Sequence, residues 1–159
     1  MRAVIQRVSA ARVSVGARET TSPEAAAAIV GQIDQGVLVY LGVARDDGPA
    51  DAEYLAEKVA NLRIFMDSEE KMNLSLSDLR YGALVVSQFT LLADARKGRR
   101  PSFSGAAENG VALKLYEDFC GRLEEKGIHV ERGAFGKIMK VSYTNEGPIT
   151  ILLDSKKLF

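Results

Sequence analysis

Residues 83–92 read Ala-Leu-Val-Val-Ser-Gln-Phe-Thr-Leu-Leu. A run this apolar, entered through a turn at Tyr81-Gly82, predicts a strand covered on both faces. Its exceptions are Ser87, Gln88 and Thr90. Polar groups inside a covered strand need partners, so these three mark the first place to look for chemistry.

Outward from this run, strands and helices interleave. Val37–Val43 (VLVYLGV) predicts a second buried strand, the richest part of an apolar run that begins at Ile29, with Gln35-Gly36 as a turn before it. Ala3–Val15 roughly alternates apolar and polar residues and predicts the first strand. Between them, Ala17–Ala28 holds Thr20, Thr21, Ser22, Pro23 and an alanine run, and reads as a hairpin tip or short insertion. Asp46-Asp47-Gly48-Pro49 announces a helix, with acids near its positive end and proline in its first turn. Leu55, Val59, Leu62 and Met66 form its apolar stripe, which predicts a helix to about Ile64. Asp67–Asp78 is polar and reads as a loop. Beyond the central strand, Ala95–Ser104 (ARKGRRPSFS) is a loop. A second helix is expected from Gly105 or Ala106, carrying Val111, Leu115, Phe119 and Leu123 on one face and stopping at Gly127. Val130–Phe135 leads into a strand at Ile138–Tyr143. Thr144–Pro148 reads as a turn and Ile149–Leu153 as the last strand. The order β-β-α-β-α-β-β is mixed α/β, with two main helices packed on sheet. At 159 residues the chain fits a single domain, 1–159.

Composition narrows the function classes. Lys+Arg and Asp+Glu are both 21, so the net charge of zero does not favour tracking along nucleic acid; RNA, if bound, must meet a local patch. Cys120 stands alone among Tyr116, Phe119 and Leu123, and reads as a reduced core thiol, which points weakly to the cytoplasm. His129, in KGIHVER, reads as a surface histidine, and Asp154 as a strand-end residue. With one histidine and one cysteine, no metal site and no Ser-His-Asp or Cys-His arrangement is expected, and no cofactor motif is present. The N-terminus has Arg2, Arg7 and Arg12 between apolar residues, unlike a signal peptide, and no stretch reaches the roughly 18 apolar residues of a membrane span. An enzyme built this way relies on positioned backbone groups more than on an activated side chain, which suits a labile ester.

Three segments carry a resemblance. Ser87-Gln88-Phe89-Thr90-Leu91, the loop Lys97–Phe103 (KGRRPSF) and Asn145-Glu146-Gly147-Pro148-Ile149-Thr150 resemble, in order and spacing, signatures of the D-aminoacyl-tRNA deacylase family. The opening MRAVIQRVSAARV, LRIF (Leu62–Phe65) and KMNLSL (Lys71–Leu76) are similar to it as well, so the likeness covers nearly the whole chain. The resemblance implies a mixed-sheet, barrel-like domain that forms a homodimer, with active sites at the subunit interface. The implied substrates are D-aminoacyl-tRNA and glycyl-tRNA.

It also implies roles for residues. Backbone N–H groups around Gln88 and Phe89 would hold the scissile carbonyl, with Ser87 and Thr90 in the same catalytic segment. Thr90 would position rather than attack, and the 2′-hydroxyl of the terminal adenosine would help activate water. Gly147 and Pro148 would form a cis peptide that enters the partner's site as a chiral gate, leaving room for hydrogen and none for an L side chain. Arg7 would hold that loop rigid. Phe135 and Met139 would line the adenosine pocket, and Lys97, Arg99 and Arg100, with Arg96 beside them, would meet tRNA phosphates. The family more often has alanine where this chain has Lys137. Competing expectations are a threonine nucleophile, a relative of relaxed chirality that removes some L-residues, and a nucleic-acid-binding scaffold dimer. Zero net charge and a chain that stops at Phe159, with no tail after the last strand, weigh against the scaffold.

Overall fold

The computed structural model describes residues 1–16 and 28–158. The suggested tip or insertion at Ala17–Ala28 lies outside them but for its last residue, which opens a strand. Eight strands are described: β1 (Arg2–Val15), β2 (Ala28–Ile33), β3 (Gly36–Gly42), β4 (Phe65–Met66), β5 (Met72–Leu74), β6 (Gly82–Ser87), β7 (Val130–Arg132) and β8 (Lys140–Asp154). Three α-helices accompany them: α1 (Pro49–Asn61), α2 (Leu76–Leu79) and α3 (Asn109–Glu125). A 3-10 turn spans Phe89–Leu92.

The main sheet runs β2-β1-β3-β6-β7, with β8 also paired to β1, in a barrel-like arrangement. β1 is its trunk. Arg2–Val8 pairs antiparallel with β3, Ala11–Val15 with β2, and β8 runs antiparallel beside both halves. β3, β6 and β7 are parallel neighbours. Parallel strands need long crossovers, and α1 and α3 lie in those two connections. Where β3 and β6 begin, a Cβ on Gly36 would stand 1.9 Å from the Gly82 carbonyl oxygen, so only glycine allows this approach.

The sheet is covered on both faces, as residues 83–86 demand. Val37, Val39, Leu41, Ala83 and Val85 face a core shared with α1 and α3. Leu38, Leu84 and Val86 face a second core with Val8, Ala11 and Val13. β1 feeds both: Ala3 and Ile5 face the first core and Val8 the second by ordinary alternation, and the register shift between Val8 and Ala10 turns Ala11 and Val13 to the same face as Val8. The helix expected after Asp46 starts at Pro49, with Asp51 accepting from the Gly48 N–H at 2.8 Å.

Five expectations need correction. The central strand stops at Ser87 rather than Leu92, because the backbone leaves the extended region at Gln88. Thr144–Pro148 is not a turn between separate strands; β8 continues through it with an interruption in register. Asp67–Asp78 is not simply loop. It holds most of the β4–β5 hairpin and α2, whose start is capped by Ser75 and Asp78. α1 ends at Asn61, and α3 starts at Asn109, later than Gly105 or Ala106. No described helix is long and apolar enough to cross a membrane.

Candidate functional site

β6 ends in an abrupt change of backbone. The Gln88 N–H donates to the Leu41 carbonyl at 2.8 Å, the last tie to β3. Gln88 itself then takes φ −143°, ψ 84°, and the 3-10 turn begins. The first N–H groups of such a turn have no partner within it. Leu91 N–H donates to Gln88 O at 3.3 Å and Ala93 N–H to Thr90 O at 3.1 Å, while the N–H groups of Phe89 and Thr90 find no acceptor among the described residues. The Gln88 N–H is thus already spent, and the free donors of this segment are those of Phe89 and Thr90. The Gln88 side-chain amide donates to the Thr90 hydroxyl oxygen. No histidine stands there. His129 is exposed at the opposite end of β6, where its carbonyl accepts from the Ala83 N–H, and lies 3.2 Å from Glu131. Burial pushes the Cys120 thiol up to about 12, so it stays protonated inside α3's packed face.

Beside this turn lies a cavity of about 400 Å³, within the usual range of small-molecule sites, roughly 300–1,000 Å³. Ser87, Gln88 and Phe89 form one wall, Phe135 and Met139 another, and Ala107, Asn109 and Ala112 a third. A tight turn shapes the second wall: Lys137 N–H donates to Ala134 O at 3.2 Å, and Gly136 takes φ +70°. Phe135 leans on Tyr116, whose hydroxyl donates to Val85 O at 2.9 Å. Behind Met139, Tyr40 is pushed up to about 12 by burial and by the neighbouring Tyr143 hydroxyl, and so stays neutral. Asn109, Ala107 and Ala112 were not foreseen as wall residues. A larger depression of about 610 Å³ opens around Arg2, Asp47, Arg96 and Asp154. Most of its charges are paired with one another (Arg2–Asp154 at 2.9 Å, Arg96–Asp94 at 2.7 Å), and of the residues expected to meet substrate only Arg96 lines it.

The second region is the interruption in β8. Asn145 pairs with Val8 and Thr150 with Gln6, so Glu146–Ile149 stands off the ladder. Its backbone is held by side chains. Arg7, only 7% exposed, donates through Nε to Glu146 O at 3.1 Å and through Nη1 to Ile64 O at 2.7 Å. Asn145 Oδ1 accepts from Ile149 N–H at 2.9 Å. Gly147–Pro148 is a cis peptide, and both residues are exposed. Gly147 has φ +128°, and a Cβ there would lie 2.9 Å from Ile149 Cγ1 and 3.2 Å from Arg7 Nη2. Arg7 thus lies against the Gly-Pro segment, while neither Gly147 nor Pro148 lines the cavity of its own chain.

The basic loop is tied to the signature turn. Asp94 and Ser102 exchange backbone hydrogen bonds of 2.8 and 2.9 Å, closing the loop, and Phe103 packs edge-on against Phe89 at 5.0 Å. Arg96 is engaged by Asp94. Lys97, Arg99 and Arg100 are exposed and form no ion pair with a described residue. Among the described residues no cluster of His, Cys, Asp and Glu could hold a metal ion.

Comparison with known proteins adds the following. The profile of the family described as D-Tyr-tRNA(Tyr) deacylase matches residues 4–154. D-aminoacyl-tRNA deacylases of Anaeromyxobacter dehalogenans and Fervidobacterium nodosum are 54% and 52% identical, each alignment spanning 100% of both chains. Among solved structures, one named c-Myc DNA Unwinding Element Binding Protein superposes with TM-score 0.84 at 34% identity, covering 97% of this chain and 98% of its own. Another, described as a probable eukaryotic D-amino acid tRNA deacylase, reaches 0.77 at 19% identity over 96% and 97%, which speaks to fold alone.

Proposed function

Since the chain belongs to the D-Tyr-tRNA(Tyr) deacylase family, and is a hydrolase of D-aminoacyl-tRNA esters, we propose how this molecule performs and restricts that hydrolysis. The terminal adenosine enters the cavity between Phe135, Met139 and the Ser87–Phe89 wall. The ester carbonyl oxygen then faces the free N–H groups of Phe89 and Thr90. Water adds to the carbonyl carbon, and the negative charge that develops on oxygen is held by those two donors, each worth about 3–4 kcal/mol in such a role. The intermediate collapses with cleavage of the acyl C–O bond. The ribose 3′-oxygen leaves and takes a proton, and the amino acid departs as its carboxylate.

No side chain beside the turn acts as a strong base, so the adenosine 2′-hydroxyl relays the proton from water. Thr90 positions rather than attacks. Its oxygen accepts a hydrogen bond from Gln88, and no histidine is near to activate it. The observation that carries this reading is the pair of unspent N–H groups on Phe89, which lines the apolar cavity, and on its neighbour Thr90.

Selection is assigned to the Glu146–Ile149 segment. Its main-chain atoms exclude an L side chain and admit hydrogen, so D-residues pass, and glycine passes for want of a side chain. Support comes from the lack of space at Gly147 and from the Arg7 tether. Because the segment lies off the cavity of its own chain, it serves a second copy, which makes the working unit a homodimer. Lys97, Arg99 and Arg100 meet phosphates of the acceptor end, which positions tRNA without reading sequence. The substrates are D-aminoacyl-tRNA and glycyl-tRNA, and the compartment is the cytoplasm, where tRNA is charged.

The test is release of amino acid from D-tyrosyl-, L-tyrosyl- and glycyl-tRNA by the purified protein. Cleavage of the first and third with the second intact is expected. Equal rates on both tyrosyl esters would remove the gate. Tight binding to duplex DNA by a preparation inactive on all three would favour a nucleic-acid-binding role instead, the property for which the 34%-identical neighbour is named. The shared-site claim has its own test. Mixing a Gly147 variant with a Phe135 variant should restore one working site per mixed dimer, and a mixture no better than its components would reject it.

A further inference from the structure

The cavity wall holds one ionisable side chain. Of the residues that line it, from Val43 to Val141, only Lys137 is charged, and no carboxylate is among them. Lys137 is exposed, and its ammonium forms neither a hydrogen bond nor an ion pair with a described residue. Its main chain, by contrast, is fixed. The Ala134–Lys137 turn is closed by a 3.2 Å hydrogen bond, and Gly136 at φ +70° sets the direction in which the chain leaves it. Phe135 is anchored on Tyr116 at the start of the same turn. An apolar wall that presents one unneutralised cation at its edge suits a ligand with an apolar body and one anionic group outside it.

We propose that Lys137 is a positioning residue that grips the phosphodiester linking the terminal adenosine to the preceding nucleotide. The inference rests on the adenosine reading of the cavity given above. It adds a contact outside the nucleoside that holds substrate and transition state alike, and leaves the meeting of the ester with the Phe89 and Thr90 donors to the cavity walls. A lysine ammonium is a compact charge with rotatable donors, suited to a phosphate held without strict geometry.

The experiment compares two substrates and three proteins. D-Tyrosyl-tRNA contains the phosphodiester; D-tyrosyl-adenosine, esterified on the ribose, has none. For Lys137→Ala the expected result is a KM for D-tyrosyl-tRNA raised on the order of threefold to tenfold with kcat held. The dependence of log KM on log salt should flatten by about 0.7, the share of one phosphate contact on a single strand. D-Tyrosyl-adenosine should be cleaved equally by variant and parent. Lys137→Arg should recover most of the lost affinity, and Lys71→Ala, an exposed lysine of the β4–β5 hairpin, should change neither KM nor slope. An equal loss on both substrates, or an unchanged KM on tRNA, overturns the role of Lys137 while leaving the cavity reading intact. Failure of the parent protein to cleave D-tyrosyl-adenosine, together with no competition by free adenosine against D-tyrosyl-tRNA, overturns the cavity reading and this inference with it.

Discussion

The turn at Gln88–Leu92 and the excursion at Glu146–Ile149 both interrupt long strands, yet they treat their backbones in opposite ways. At the first, the chain leaves two N–H groups without acceptors at the edge of an apolar cavity. At the second, the chain ties its backbone down, with Arg7 on Glu146 O and Asn145 on the Ile149 N–H. Free donors serve to bind charge that develops elsewhere. Tethered backbone serves to keep a shape. The division suggests that reaction and selection rest on separate parts of this molecule, the second of which also shapes the room left for the D-substrate.

The largest expected effect comes from removing a free donor. Phe89→Pro deletes the Phe89 N–H, which closes no hydrogen bond in the fold. Gln88, at φ −143° and ψ 84°, already avoids the helical region, as a residue before proline must. Phe89→Ala serves as the reference for the lost ring. Relative to it, Phe89→Pro should lower kcat about 100- to 1,000-fold at unchanged melting temperature. Single-turnover rates on D-tyrosyl-tRNA would measure this, and parity between the two variants would show that the N–H is idle.

Next comes the shape-keeping half. Gly147→Ala adds a Cβ at φ +128° and within 3.2 Å of both Ile149 and Arg7. The excursion has to move, and activity on D-tyrosyl-tRNA should fall on the order of 10- to 100-fold. Arg7→Ala should act more gently on rate and more plainly on stability and choice. It leaves the carbonyls of Glu146 and Ile64 without their donor, at a cost of roughly 2–5 kcal/mol in unfolding free energy. The preference for D- over L-tyrosyl-tRNA should drop about tenfold. Urea titration and paired deacylation assays would check both, and full discrimination in a folded Arg7→Ala protein would mean the tether does not set the shape.

How much of this was legible beforehand differs between the halves. The apolar run at 83–86 announced a strand covered on both faces, and so it is, because side chains of that kind have nowhere else to go. The stop at Ser87 was not legible. Phe89 and Thr90 are as good strand formers as Val85, and only the loss of the β3 partner after Leu41 ends the pairing. The excursion in β8 was misread as a turn because Asn-Glu-Gly-Pro carries turn chemistry; β1 lies alongside and lets the strand resume at Thr150. Arg7 carried no signal of its own, and only the family likeness pointed to the Gly-Pro segment. Its burial depends on Ile64 and Glu146, far away in sequence. The cavity's third wall, from Ala107 to Ala112, carried no signal of its own, since a helix start facing a cavity looks like any other helix start.

The smallest expected effect bears on whether the turn's chemistry belongs to its backbone or to Thr90. As a nucleophile, the Thr90 hydroxyl would have to lose its proton to a base as it attacked the carbonyl, and its removal would abolish turnover. In the structure the Thr90 oxygen accepts from the Gln88 amide, an arrangement that orients the hydroxyl and offers it no base. Thr90→Ala retains the Thr90 N–H and loses only that side-chain contact. It should therefore keep kcat within about threefold of the parent, since one exposed hydrogen bond is worth ~0.5–1.5 kcal/mol and part of it is regained from water. Thr90→Ser should be indistinguishable from the parent. A Thr90→Ala protein with unchanged melting temperature and no turnover, together with an active Thr90→Ser, would move the chemistry from the main chain to the hydroxyl, and the contrast between free and tethered backbone would no longer describe a division between reaction and selection.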